Sequence, residues 1–338
     1  MMKNEETTTW LSEMKYIKVA VTGGAGFIGS HLVDRLLMEN CDVTLIDNLV
    51  SGSLVNVGHN LENRNLHFEK CDIRDSDSIR KILKGVEVIF HEAALSSVQA
   101  SIENPMLTNS VNVEGTLNLL KIATELNADR FVYASSAAVY GDTQPSRKTE
   151  DMALKPMSPY GVSKLAAENY VRAFNKVYNL ETVCLRYFNV YGPRQLCSPY
   201  SGVIASFLDR LSRNQNPLIY GDGEQTRDFI HVQDVVEANI LTVKSEKAIG
   251  EAINIATGNP TSINQLAETM LRTVSGHRIK KSYSSPRKGD IKHCFADIGK
   301  ATRILGFYPK YSMQNELPKL LKSYQLRACI EKSEEGQT

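Results

Sequence analysis

Short apolar runs alternate with helix-period stretches along the first half of this chain. Ile17 to Thr22 predicts a buried strand, followed by a glycine turn and a helix through Met38. Asp42 to Ile46 and Leu66 to Lys70 predict the next two strands. Ser76 to Leu83 reads as a helix, Val86 to Phe90 as a strand and Asn109 to Leu126 as a helical stretch. Arg130 to Ala134 is another strand, Tyr160 to Tyr178 a long amphipathic helix, and Thr182 to Arg186 a strand. Strands that are apolar throughout, each followed by a helix, predict a parallel sheet covered on both faces. After Arg186 the pattern is broken by Pro193, Pro199, Pro217 and the turn at Gly221 to Gly223, with one short helix at Val203 to Leu211. That change predicts a smaller domain over the carboxyl edge of the sheet.

Length agrees, because 338 residues suit one large α/β domain or two sharing a cleft. The division expected is 16–185 for the first domain, with 229–255 returning to it, and 186–326 for the second. Residues 1–15 and 327–338 are expected to be flexible ends. With 42% hydrophobic and 23% charged residues, global disorder is excluded. The net charge of +1 gives no bulk case for nucleic acid or an anionic membrane as partner. No run of eighteen apolar residues predicts a membrane span. Met1 to Trp10 lacks the apolar core of a signal peptide, and the six cysteines are scattered, so a reducing, cytoplasmic setting is expected. Neither the cysteines nor the seven histidines fall at ligand spacing, so no metal is expected.

The first turn carries chemistry. Gly24, Gly26 and Gly29 fit G-x-G-x-x-G, while Gly23, Gly26 and Gly29 fit G-x-x-G-x-x-G. Either reading lets the backbone approach a pyrophosphate at the N-terminus of the helix that Phe27 and Ile28 open. Asp47 ends the next strand, eighteen residues past Gly29, where a carboxylate accepts the ribose hydroxyls of NAD and repels a 2′-phosphate. Alone, Asp47 would read as a turn or cap residue; with the glycines it points to NAD over NADP. Asn48 joins it, and Asp72 with Ile73, after the third strand, reads as an adenine contact or an ordinary strand-to-helix turn.

Tyr160 and Lys164 are four apart and share a helix face, and the strand before them ends in Ser135 and Ser136. A cationic Lys164 would lower the Tyr160 phenol pKa and bind the nicotinamide ribose. Tyr160 would then act as general base at an alcohol that Ser136 also hydrogen-bonds.

At this point the chain resembles the extended short-chain dehydrogenase/reductase family, with the nucleotide-sugar 4-epimerases as the nearest group. The resemblance spans residues 16–326. It rests on Thr22 to Gly29, His91-Glu92-Ala93-Ala94, Asn112 to Thr116, Tyr160 with Lys164, Leu185 to Pro193, and Arg227 to Val232. It implies a Rossmann-like α/β fold with NAD as cofactor and a UDP-sugar as substrate. It also implies a homodimer formed through the helices near 112–127 and 160–178. Ala93 and Ala94 would pass the cofactor, Asn112 would steady the catalytic helix, and Tyr187 would pack near the nicotinamide. Asn189, Arg227 and Arg287 would hold the diphosphate, the arginines through their bidentate fork. Gln195, Asp290, Ser97 and Cys294 are expected at the substrate, Cys294 on the wall beside the C2 substituent.

The related 4,6-dehydratases carry an Asp-Glu pair after the serine or threonine, and the glucuronate decarboxylases a glutamate near the same place. Here the residues are Ala137 and Ala138, which cannot transfer a proton. The expected reaction is therefore epimerisation at C4 through a 4-keto sugar. The alternatives are a UDP-glucuronate 4-epimerase, or a non-enzymatic NAD-binding sensor, for which an intact Ser136, Tyr160 and Lys164 set is superfluous.

Overall fold

Strand side chains alternate between faces, and this sorts the apolar residues into two cores, one on each side of a central sheet. The computed structural model describes residues 17–195, 202–274, 279–286 and 291–335, with side chains to residue 325. The sheet contains β1 (Lys18–Thr22), β2 (Asp42–Asp47), β3 (Leu66–Lys70), β4 (Val88–His91), β5 (Arg130–Ser136), β7 (Glu181–Tyr187) and β11 (Ala252–Ile255). All pairs are parallel, in the order 11-7-5-4-1-2-3. Val19, Val21, Phe90, Val132 and Leu185 face one core. Ala20, Ile89, Phe131, Tyr133 and Cys184 face the other. The strand order reverses between β1 and β4, and such a switch point opens a crevice at the carboxyl ends.

Helices α1 (Phe27–Met38), α8 (Val232–Lys244) and α10 (Gly299–Leu305) cover the first face. Helices α2 (Ser76–Ile82), α5 (Gly115–Glu125) and α6 (Pro159–Tyr178) cover the second. Ser158 caps α6 by accepting from Gly161 N at 3.1 Å, Pro159 takes the first helical position, and Asn179 ends the helix at φ +57°. Gly161, Lys164, Ala167, Glu168, Val171 and Phe174 are buried at helical spacing along one face. Two short helices, α3 (Val98–Glu103) and α4 (Pro105–Asn109), lie against α6, and a π-helical turn over Ser110–Glu114 joins them to α5.

The rest of the chain forms a second layer. Strands β8 (Asn189–Tyr191), β10 (Thr226–His231), β12 (Pro260–Ser262), β14 (His293–Ala296) and β6 (Arg147–Lys148) make a five-stranded sheet centred on β10. Strands β9 (Leu218–Tyr220) and β13 (Ser282–Ser284) pair alone. Helices α7 (Val203–Ser212), α9 (Ile263–Leu271) and α11 (Met313–Glu335) enclose a third core around Phe207, Leu211, Leu266 and Leu317. Asp228 ties this sheet together. Its buried carboxylate accepts from Thr257 N (2.8 Å), Thr257 Oγ1 (2.6 Å), Gly258 N (2.9 Å) and Ala296 N (3.2 Å). Of the returning stretch 229–255, α8 and β11 lie with the large sheet, whereas Phe229 to His231 stand in β10 of the second. No helix of the described residues is long and apolar enough to cross a membrane.

Candidate active site

The glycine turn follows β1 at the switch point. Gly23 has φ +68°, donates to Ile46 O at 2.7 Å, and passes so close to β4 that a Cβ there would lie 2.7 Å from Ala93 N. A Cβ on Gly29 would lie 2.2 Å from Gly23 O, so only glycine lets α1 start this near the strand. Gly26 is extended and precedes α1, whose N-terminus carries no side-chain cap and no acidic residue. An uncapped helix start beside a crowded glycine turn fits a pyrophosphate. These residues therefore fit NAD.

Asp47 closes the same corner. Its Oδ2 accepts from Ala25 N at 3.1 Å and its Oδ1 from Leu49 N at 2.8 Å, which joins the end of β2 to the glycine turn. Burial pushes this carboxyl up while the two amides pull it back. Asn48 donates to Asp72 Oδ2 at 3.0 Å, and Arg74 forks onto both Asp72 oxygens at 2.9 and 2.8 Å. That hydrogen-bonded arginine holds the Asp72 carboxyl well below the usual carboxylate range. Ile73 is buried, and Gly115 packs so near it that a Cβ would meet its Cδ1 at 2.6 Å. Asp47, Asn48, Asp72 and Ile73 thus gather at the carboxyl ends of β2 and β3, as a nucleoside site requires.

Ser136 ends β5, and its Oγ accepts from Ala138 N at 3.1 Å. Tyr160 lies in the first turn of α6, where its N–H donates to Ser101 Oγ at 3.0 Å. The Tyr160 phenol is raised by burial and drawn back by its hydrogen bond with Ser136. Lys164 is buried one turn on; its Nζ donates to Ala134 O at 2.7 Å and lies 5.0 Å from the centre of the Tyr133 ring. Burial pushes its ammonium down to about 8, and Glu92 acts against that. Sequence reading assigns the lowering of the phenol to Lys164. In the structure Ser136 acts to lower it, and the Lys164 head is hydrogen-bonded to the Ala134 carbonyl.

Asn112 steadies this helix from the π-helical turn. Its amide donates to Ser163 Oγ at 3.0 Å and to Leu95 O at 3.0 Å, and its Oδ1 accepts from Leu95 N at 2.8 Å. Behind it stands His91, 1% exposed, between Thr22 Oγ1 (2.7 Å) and Thr116 Oγ1 (2.8 Å). Thr116 donates to Asn112 O at 2.7 Å, so it accepts from His91 Nε2, and His91 Nδ1 is left to accept from Thr22. The chain of bonds runs from β1 through β4 and α5 to α6.

Sequence reasoning gave His91 and Glu92 no role, although both stand in the motif it used. Glu92 is the first residue past β4, half-buried beneath the glycine turn. Tyr187 donates to Glu92 Oε1 at 2.8 Å and accepts from Asn239 Nδ2 at 2.7 Å. A charged residue at the end of an otherwise apolar strand was the available signal. Its partner on β7 could not be found from spacing.

Ala93 and Ala94 lie half-exposed past β4. Ser97 caps α3 by accepting from Ala100 N at 3.0 Å. From the second layer, Asn189 starts β8 beside β10, and Gln195 donates to Val190 O at 3.3 Å. Arg227 donates to Thr226 O at 2.8 Å; its register partner across β10 and β14 is Cys294. Cys294 packs in one cluster with Val139, Ala137 and Phe188, beside the Ser136 turn. Arg287 and Asp290 lie outside the described residues.

A parallel sheet with a glycine turn at its switch point, a carboxylate at the end of β2, and a serine, tyrosine and lysine across the crevice define a dinucleotide-dependent enzyme of the short-chain dehydrogenase/reductase type. The chain matches the NAD dependent epimerase/dehydratase family over residues 19–256 and belongs to that family. It is 41% identical over 305 residues to a putative UDP-glucose 4-epimerase of Methanocaldococcus jannaschii, covering 90% of this chain and 97% of that one. Among solved structures, a UDP-N-acetylglucosamine 4-epimerase of Methanobrevibacter ruminantium M1, in complex with UDP-N-acetylmuramic acid, superposes with a TM-score of 0.87. It is 40% identical, over 91% of this chain and 98% of that chain. The UDP-glucose 4-epimerase of Thermotoga maritima with UDP-glucose gives a TM-score of 0.86 at 36% identity, over 93% and 100% of the two chains. The cofactor is NAD, in keeping with the family and with the fit of the glycine turn.

Proposed function

We propose that this protein is a UDP-sugar 4-epimerase, acting on UDP-glucose and UDP-galactose and on their N-acetylated counterparts. The observation that carries the reading is Ser136 at the end of β5 and Tyr160 in the first turn of α6, with only Ala137 and Ala138 following the serine. Such a site moves one proton at one alcohol and has no second acid or base there for elimination or decarboxylation. NAD, which Gly23, Gly26 and Gly29 would hold at the start of α1, would supply the hydride chemistry that epimerisation at C4 through a 4-keto sugar requires.

The protein's own part is positioning and proton transfer. Tyr160 Oη takes the C4 hydroxyl proton and gives it back, and Ser136 Oγ holds the same oxygen in line. Lys164 is anchored to the Ala134 carbonyl and presents its charge to the cofactor ribose. Asp47 takes the adenosine ribose, with Asn48, Asp72 and Ile73 around the adenine. Asn189, Arg227 and Gln195 receive the diphosphate end, which stays fixed while the sugar turns over. Arg287 and Asp290 are assigned to the same end on the family resemblance alone.

A second copy of this chain is the partner we assign. Val162, Tyr170 and Val177 form an exposed stripe on α6, continued by Val98 and Ile102 on α3 and Met106 on α4. The helix at 112–127 is assigned to the same interface on the family resemblance; it buries Leu119, Leu120 and Ile122 in the core and leaves Glu114, Lys121 and Glu125 exposed. A cytoplasmic setting agrees with the free thiols of Cys71, Cys184 and Cys294.

The reading is tested by incubating the purified protein with UDP-glucose, UDP-N-acetylglucosamine and UDP-glucuronate and separating the epimers. Conversion of the first two and not the third is expected. Turnover of UDP-glucuronate alone would move the protein to that substrate, and no turnover of any would leave a binding protein.

A further inference from the structure

The hydrogen bonds around Glu92 have a fixed direction. Asn239 donates to Val235 O at 2.9 Å and to the Tyr187 hydroxyl at 2.7 Å, so its amide nitrogen faces both. Its Oδ1 has no hydrogen-bond partner. The Tyr187 hydroxyl accepts from Asn239 and must therefore give its own proton to Glu92 Oε1, 2.8 Å away. Three elements meet there: Glu92 past β4, Tyr187 at the end of β7, and Asn239 on α8. The titratable groups facing Glu92 are Tyr187 from β7 and Lys164 from α6, while α8 contributes the neutral Asn239.

We propose that Glu92 is a positioning residue of this site: its carboxylate fixes the Tyr187 ring by accepting the phenol hydrogen bond. This rests on the 4-epimerase reading for its effect on turnover. Glu92 stands past β4 and Tyr187 at the end of β7, with β5 between them, so the bond spans the carboxyl edge of the sheet. Burial pushes Glu92 up to about 7 while the Tyr187 hydrogen bond and Lys164 hold it down. Without an acceptor the buried Tyr187 hydroxyl loses the bond that sets the ring's tilt.

Glu92→Gln keeps an acceptor for Tyr187 and removes the charge. Glu92→Leu removes both. Tyr187→Phe removes the hydrogen bond and keeps the charge. The direct readout is the Tyr187 ring, followed by NMR on protein labelled at tyrosine, with Tyr187→Phe used to assign the resonances. Glu92→Leu should shift the Tyr187 ring resonances and speed its ring flips, and Glu92→Gln should keep both near wild type. Glu92→Leu should lose a factor of about ten in kcat that Glu92→Gln largely restores, because only the leucine leaves Tyr187 without an acceptor. Unchanged Tyr187 resonances in Glu92→Leu would overturn the positioning role, whatever the activity, and so would equal kcat for the Gln and Leu substitutions. If Glu92→Leu does not fold, Tyr187→Phe carries the kcat comparison, and wild-type kcat there overturns the role. A wild-type protein that turns over no UDP-sugar defeats the epimerase reading, and the Tyr187 resonances in Glu92→Leu and Glu92→Gln still decide for or against Glu92.

Discussion

Tyr160 sits where a helix begins, and its phenol is reached by Ser136 from the end of a different strand. Replacing it with phenylalanine removes one proton carrier and leaves the ring's packing in place. Tyr160→Phe should therefore lower kcat roughly 10²–10⁴-fold while UDP-sugar affinity, measured by calorimetry, stays near wild type. A rate close to wild type would remove Tyr160 from the chemistry. Cys294 makes a separate prediction about substrate size. It is buried next to Ala137 and Val139, opposite Arg227. On the assignment of Cys294 to the substrate pocket, a tyrosine there would fill the volume an N-acetyl group needs, and overpacking costs about 1–3 kcal/mol. Cys294→Tyr should abolish turnover of UDP-N-acetylglucosamine and spare UDP-glucose. An unchanged ratio of the two rates would place the size limit elsewhere.

Between elements, the catalytic helix is held by a buried ion pair. Glu168 on α6 accepts from Arg186 Nη2 (2.6 Å) and Nε (3.1 Å) of β7 and from Ser135 Oγ (2.6 Å) of β5. The two charged side chains are 1% and 0% exposed. Arg186 also donates to the Tyr140 hydroxyl at 2.8 Å and to Glu150 O at 3.3 Å, so the pair joins α6 to both strands and to the segment leading into α6. Removing one partner leaves an uncompensated buried charge. Glu168→Ala should destabilise the fold by about 3–5 kcal/mol, read from urea unfolding, and depress kcat because the end of β5 carries Ser136. A loss below about 1 kcal/mol would show that solvent or a shifted Glu150 compensates the arginine.

For the molecule as a whole, the same polar links set how it responds to acid. His91 connects β1, β4 and α5, and burial pushes its imidazole down to about 3 from 6.5. The unfolded chain takes up that proton first as pH falls. Stability from this site is thus complete above pH 6.5 and is lost progressively between 6.5 and 3. Roughly 1.4 kcal/mol is at stake for each pH unit of that gap. His91→Gln should be less stable than wild type at pH 7, and the difference should shrink as the pH is lowered to 4. Parallel stability curves for the two proteins would contradict the neutral, buried assignment of His91.

What the sequence determined by itself is everything written in local pattern. The strand and helix alternation, the glycine turn, Asp47 at its spacing, and Tyr160 with Lys164 on one helix face are all set by neighbours within a few residues or by one helix period. The sequence could not show that β11 returns to the large sheet while Phe229 to His231 stay in the small one, because both stretches are short and apolar and differ only in their pairing partner. Nor could it show that the Lys164 head is anchored to the Ala134 carbonyl. The partner that defines Glu92 lies 95 residues away, and those that define His91 lie 69 and 25 residues away. Those contacts are decided by sheet order. Parallel strands end at one edge, so the Tyr187 hydroxyl at the end of β7 reaches past β5 to the residue after β4, and a buried donor there must find an acceptor across space rather than along the chain.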